Sequence, residues 1–84
     1  MTRRTVTIEL ASGLEARPIA MLVQLASSYE SQIYMQSDAR KVNAKSIMGM
    51  MTLELPAGEQ VTVTADGVDE ETAVNEIEKY LSSN

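Results

Sequence analysis

Eighty-four residues without one histidine or cysteine leave few side chains able to do chemistry, and these fall in two short stretches. In "SGLEARP", residues 12–18, Glu15 stands two positions before Arg17 where a helix opens. As a general acid or nucleophile Glu15 would need burial, a second carboxylate or a metal, and nothing in the sequence places these beside it. The same carboxylate suits the positive end of a helix near a guanidinium, or a fixed charge read by a partner. In "KSIMGMM", residues 45–51, Ser46 precedes a helical run. Its hydroxyl can accept an amide N–H as an N-cap, worth about 1 kcal/mol, and that alone accounts for a serine here. A phosphoryl group on the same oxygen would face free helical amides with Lys45 adjacent, so modification would not melt the helix. Ile47, Met48, Met50 and Met51 crowd five positions of that helix. They cannot all reach a core, so some should remain outside as an adaptable apolar surface, although core packing is an equal alternative for any one of them.

The elements that position these groups follow from periodicity. Val6, Ile8 and Leu10 alternate with Thr5, Thr7 and Glu9, which predicts a strand. "ASG" interrupts it. Pro18 fits a first helical turn, and Ile19, Leu22, Val23 and Ala26 recur at helical spacing, predicting a helix over about 16–28. Residues 32–44 read as a hairpin turning at "SDA", with Ile33 and Met35 on one face and Tyr34 on the other. After the short helix begun by Ser46 and weakened by Gly49, "PAG" breaks the chain. Val61, Val63 and Ala65 alternate as a fourth strand. A last helix is predicted with Asp69 as cap, Glu70 and Glu71 at its positive end, and Val74, Ile77 and Leu81 as its apolar stripe. The order βαββαβα argues for an α+β fold, with the helices packed on one face of a mainly antiparallel sheet.

Composition bounds the rest. A chain this short has material for one core, so residues 1–84 are expected to form a single domain. Hydrophobic residues make up 44%, with three tyrosines and no Phe or Trp, so Val, Ile, Leu and Met must fill the interior. The absence of cysteine removes disulfides and thiolate metal sites. No stretch approaches the roughly 20 apolar residues of a membrane span, and "MTRRTVTIEL" lacks an apolar signal region, which gives an expectation of a cytoplasmic protein. Residues 1–46 hold six Lys/Arg against four Asp/Glu, and residues 47–84 hold one against eight, for a net charge of −5. Direct nucleic-acid binding is disfavoured by that balance, whereas a small basic patch could hold one anion.

The two stretches, at this separation and in this element order, resemble the HPr family, the phosphocarriers of the bacterial sugar phosphotransferase system. The resemblance runs from Thr5 to about Leu81 and implies an open-faced β-sandwich of HPr type, four strands with three helices on one face. In that family a histidine between "GL" and "ARP" takes phosphate from enzyme I and passes it to sugar-specific enzyme II proteins. Glu15 occupies that position here and cannot form a phosphoimidazole, so the resemblance implies a degenerate phosphocarrier site. Ile19, bulkier than the usual alanine after "RP", departs further. "KSIMG" is similar to the regulatory site of Gram-positive members, where HPr kinase/phosphorylase phosphorylates the serine matching Ser46. Loss of the first site with retention of the second is similar to the catabolite-repression HPr-like branch of the family.

That branch implies a regulatory phosphoprotein, not an enzyme, without cofactor, metal or membrane. Phosphorylated on Ser46, it would serve as corepressor of the LacI-type catabolite control protein CcpA. Ile47, Met48 and Met51 would pack on the regulator and Arg17 would make a charged contact. Lys45 would help the kinase or screen the phosphate. Two other readings stand beside this one: a residual phosphocarrier using Glu15 as acyl-phosphate acceptor, and a binding module whose Ser46 is never modified. Glu15 is either a remnant or a partial mimic of phosphohistidine charge. The N-terminal strand and the "ASG" hinge suggest exchange between two chains, hence a possible homodimer.

Overall fold

The structure is a computed structural model that describes residues 1–11, 13–38 and 40–82. Its elements are β1 (Thr2–Thr7), α1 (Ala16–Ser27), β2 (Gln32–Ser37), β3 (Arg40–Asn43), α2 (Ile47–Met51), β4 (Gln60–Asp66) and α3 (Glu70–Leu81). The strands form one sheet in the order β1-β4-β2-β3, every neighbouring pair antiparallel. This is the α+β, open-faced arrangement that the residue periodicity predicts. The two central strands are β4 and β2, so β1 and β3 are opposite edges.

Register explains which side is covered. Val6 lies opposite Val61, Met35 opposite both Val63 and Val42, and Ile33 opposite Ala65. Successive strand residues alternate faces, so these apolar side chains share one face and join Leu22, Ala26, Met50, Val74, Ile77 and Leu81 in the core. The second face carries Thr5 opposite Thr62 and Thr62 opposite Gln36, and there the Lys41 ammonium sits 4.8 Å from the Tyr34 ring centre. Aliphatic and methionine side chains fill the interior, as a chain without Phe or Trp requires.

Two expectations need correction. The first strand begins and ends earlier than the Val6–Ile8–Leu10 alternation suggests, because its ladder with β4 stops at the Thr7–Gln60 pair. Beyond it the 8–10 segment bonds to the loop before β4 and to the end of α3: Ile8 N–H reaches the Glu59 carbonyl at 2.9 Å, Gly58 N–H the Ile8 carbonyl at 2.8 Å, and Glu9 N–H the Leu81 carbonyl at 2.8 Å. Ile8 is still fully buried, so the alternation correctly marks burial while overextending the strand. The second correction concerns Asp69. It occupies the N-cap position of α3 but makes no side-chain cap. Its carboxylate instead accepts from the backbone N–H of Glu30 at 2.9 Å and of Ser31 at 3.0 Å, and from the buried Ser31 hydroxyl. A local cap is thereby exchanged for a tie between the end of α1 and the start of α3. These bonds, the Ser31 hydroxyl first, hold the Asp69 carboxyl below its ordinary pKa. Ser12 of the "ASG" break and Ala39 of the "SDA" turn lie outside the described residues, as do Ser83 and Asn84.

The edge strand β1 is fastened to α3. Thr2 Oγ1 donates to Glu70 Oε2 at 2.6 Å, and the Arg4 guanidinium donates to Asn75 Oδ1 at 2.6 Å and to Glu78 Oε1 at 2.8 Å. The Met1 ammonium adds a 2.9 Å contact with Glu70. The Thr2 hydroxyl, the Met1 ammonium and the Gly67 N–H together lower the Glu70 carboxyl to about 2.

Candidate functional site

Backbone geometry, not side chains, builds the Glu15 corner. Gly13 has φ +74, and a Cβ there would come within 2.8 Å of the Leu55 carbonyl oxygen and 2.9 Å of the Ala57 nitrogen. Only glycine accepts both that dihedral and that approach. Leu14 N–H then bonds the Leu55 carbonyl at 2.7 Å, which docks the corner against residues 53–57 and delivers Glu15 to the start of α1. Glu15 is the extended N-cap residue, with φ −100 and ψ −174, and its carbonyl accepts the first helical N–H, from Ile19, at 2.8 Å.

The Glu15 side chain does little in that position. It makes no cap, it is exposed, and among the described residues its carboxylate has neither a hydrogen bond nor an ion pair. The guanidinium expected beside it makes no pair with it: Arg17 is exposed and forms neither a hydrogen bond nor an ion pair with Glu15. Among the described residues no group of three or more Asp or Glu is placed to hold a metal. The carboxylate borders a groove of about 520 Å³ that also takes in Ile19, Met51, Glu54 and Leu55. Glu54 in that wall has φ 47, a left-handed conformation unfavourable for a residue bearing a Cβ.

The Ser46 turn is organised differently. Asn43 Oδ1 accepts from Lys45 N–H at 2.8 Å, and the Asn43 carbonyl accepts from Ser46 N–H at 3.0 Å. These bonds end β3 and aim Ser46 into α2. Ser46 is extended, with φ −105 and ψ 113, and its Oγ accepts Gly49 N–H at 3.2 Å, the cap that its position predicts. Ile47 and Met48, as the first two helical residues, have N–H groups without an intrahelical acceptor. Lys45 is adjacent in sequence, yet its ammonium is held by the Tyr29 carbonyl at 2.7 Å, which ties the turn to the end of α1.

The apolar cluster divides as the crowding argument requires. Met50 is fully buried, whereas Ile47 is 47% exposed, Met51 52% and Met48 80%. α2 packs against α1 and β3. Lys45, Ser46, Ile47, Met48 and Met51 thus lie in the turn before α2 and on α2 itself, and Met51 shares a groove with Glu15. Arg17 stands on the neighbouring helix. Met21, four residues after Arg17 and 52% exposed, extends that exposed side of α1. The sequence carried its signal: the stripe Ile19, Leu22, Val23 and Ala26 leaves residue 21 off the buried side. Glu54's conformation and the groove depend on the approach of the 53–57 loop to Gly13, which has no local signal.

The family described as "PTS HPr component phosphorylation site" matches residues 2–83. The HPr-like protein Crh of Bacillus subtilis is 42% identical over 81 residues, covering 96% of this chain and 95% of its own. Among solved structures, the phosphocarrier protein HPr from Bacillus anthracis superimposes with a TM-score of 0.93 at 39% identity, covering 95% of both chains. Crh from Bacillus subtilis, described as a swapped dimer, gives 0.77 at 42% identity, covering 96% of this chain and 93% of that one. The four-stranded sheet, the Gly13 corner and the Ser46 cap are thus those of a member of the HPr family.

Proposed function

We propose that this protein is a regulatory phosphoprotein of carbon catabolite repression, switched by phosphorylation of Ser46. The observation that carries the reading is the Ser46 turn. A capping hydroxyl, the unaccepted amides of Ile47 and Met48, and the exposed side chains of Ile47, Met48 and Met51 adjoin one another. A phosphate on Oγ would place negative charge where those amides favour it, beside an apolar surface able to seal a protein contact. HPr kinase/phosphorylase is the modifying enzyme in this reading, and the LacI-type regulator CcpA is the partner of the phosphorylated form.

Glu15 supports the reading from the other side. An exposed carboxylate that shares its groove with Glu54 alone among the acids, with no metal-holding group among the described residues, is a poor substitute for the imidazole of a phosphocarrier, so the sugar-transport relay is not proposed. Arg17, exposed and without an ion pair among the described residues, supplies a guanidinium to the regulator from the adjoining helix. Lys45 acts chiefly through its bond to the Tyr29 carbonyl, holding the turn; a direct part in the contact requires that bond to open. The naming of similar proteins as Crh supports catabolite repression as the process.

A homodimer by exchange of β1 is part of the proposal, supported by the swapped dimer of the Bacillus subtilis relative. Here β1 pairs with its own β4, and the chain superimposes better on the Bacillus anthracis HPr, 0.93 against 0.77. Exchange would preserve the Arg4–Glu78 and Thr2–Glu70 contacts between chains. Mass measured in solution across a concentration series tests it: a concentration-dependent dimer is expected, and a monomer at every concentration contradicts it. For the switch itself, affinity for the regulator measured with and without phosphate on Ser46 is the test. Tighter binding of the phosphoprotein is expected, and equal binding contradicts the proposal.

A further inference from the structure

The chain has six methionines, and the fold sorts them sharply. Met35 and Met50 are fully buried; Met21, Met48 and Met51 are at least half exposed, and all three lie on α1 and α2, which pack together. Met1 is exposed too, but it leads into β1, the sheet edge opposite to the β3 edge on which α2 packs. We infer that Met21, Met48 and Met51 form an oxidisable face, and that their conversion to sulfoxides by hydrogen peroxide weakens docking of the phosphorylated protein without unfolding it.

The chemistry needs only the named co-reactant. A thioether lone pair attacks one peroxide oxygen, the S–O bond forms as the O–O bond breaks, and the departing hydroxide takes the remaining proton to leave as water. Sulfur is oxidised by two electrons and peroxide oxygen is reduced. The product is a polar, hydrogen-bond-accepting group in place of a flexible apolar one. Exposed sulfurs react with peroxide in the native state, whereas Met35, enclosed between Val63 and Val42, must wait for the sheet to open. A surface of aliphatic residues would not respond in this way; the use of methionine at the three exposed positions gives an apolar patch a chemical off-state. The inference rests on the proposed docking of this face to the regulator.

The test is to phosphorylate the parent and a Met21→Leu, Met48→Leu, Met51→Leu variant on Ser46, then treat each with hydrogen peroxide. Peptide mass mapping follows the site of oxygen addition, and regulator affinity and thermal unfolding follow its effect. Met48, Met51 and Met21 are expected to gain oxygen at least tenfold faster than Met35 and Met50. Regulator affinity of the parent is expected to fall about tenfold on treatment at an unchanged thermal midpoint, while the variant, whatever its starting affinity, binds the same before and after treatment although Met1 still oxidises. Equal oxidation of buried and exposed positions, or the same loss of affinity in the variant, overturns the inference. Unchanged affinity of the fully oxidised parent overturns it as well, and leaves the corepressor reading standing. Failure of the untreated phosphoprotein to bind overturns the corepressor reading and the docking part of this one together.

Discussion

Two helices of this molecule begin on an extended residue, and only one of them uses that residue's side chain. At α2, Ser46 Oγ accepts Gly49 N–H, so the hydroxyl has structural work beside any regulatory role. At α1, Glu15 supplies its carbonyl to Ile19 and its carboxylate to nothing among the described residues. The corner is held by Gly13 and by the Leu14–Leu55 bond, both indifferent to the side chain at position 15. A chemical group can therefore be lost from the first corner without loss of fold. At the second the serine is already accounted for by its cap, before the proposed phosphorylation is considered.

The largest effect that would sharpen this contrast is expected at Gly13. Gly13→Ala forces a Cβ against the Leu55 carbonyl in a left-handed backbone, and denaturant unfolding should show a loss of about 3 kcal/mol. A loss below 1 kcal/mol would mean that the corner moves freely and that Glu15's position is not set by it. Next comes Met48→Ala, expected to lower regulator affinity of the phosphoprotein about tenfold, some 1.4 kcal/mol, while unfolding free energy shifts by less than about 0.5 kcal/mol. A variant that binds like the parent would place the contact off α2. Ser46→Ala should cost about 1 kcal/mol of stability through the lost cap, and Ser46→Asp only a small part of that, since aspartate also caps.

How far the sequence showed these features depends on their range. Ser46 as cap, the hairpin, and the burial of Val74, Ile77 and Leu81 rest on short-range pattern, and the structure has them. That some of Ile47, Met48, Met50 and Met51 must lie outside followed from crowding on one short helix, but which one is buried, Met50, did not. What failed was set by distant partners. Asp69 looks like a cap because of the helix after it, but Glu30 and Ser31, nearly forty residues earlier, take its carboxylate. The strand predicted through Leu10 ends at Thr7 because the Gly58 turn on the other side ends the ladder. Glu15 and Arg17 are close in sequence yet unpaired, since spacing alone does not orient two exposed side chains.

Two smaller effects remain. Glu70's carboxyl lies at about 2 in the folded chain against an ordinary 4.5, so it stabilises the fold above 4.5 and that contribution is lost as pH falls from 4.5 toward 2. Asp69, also lowered, acts in the same direction. Thermal midpoints measured down that range should fall, and Glu70→Gln should flatten the profile; an unaltered slope would assign the acid sensitivity to other groups. The smallest effect is expected at Glu15. Glu15→Gln should change stability by less than about 0.5 kcal/mol and leave regulator affinity as it was. A clear drop in affinity would show that the carboxylate has a positive role as a mimic of phosphohistidine, and the contrast between the two corners would narrow.

On the proposed function the capped Ser46, and not Glu15, is the site of the switch. Intact mass after incubation with ATP and HPr kinase/phosphorylase tests it most directly, with the parent, Ser46→Ala and Glu15→Gln treated together. One added phosphate on the parent and on Glu15→Gln, with none on Ser46→Ala, is the predicted result. A parent that stays unmodified, or a phosphate that survives Ser46→Ala, would contradict the account.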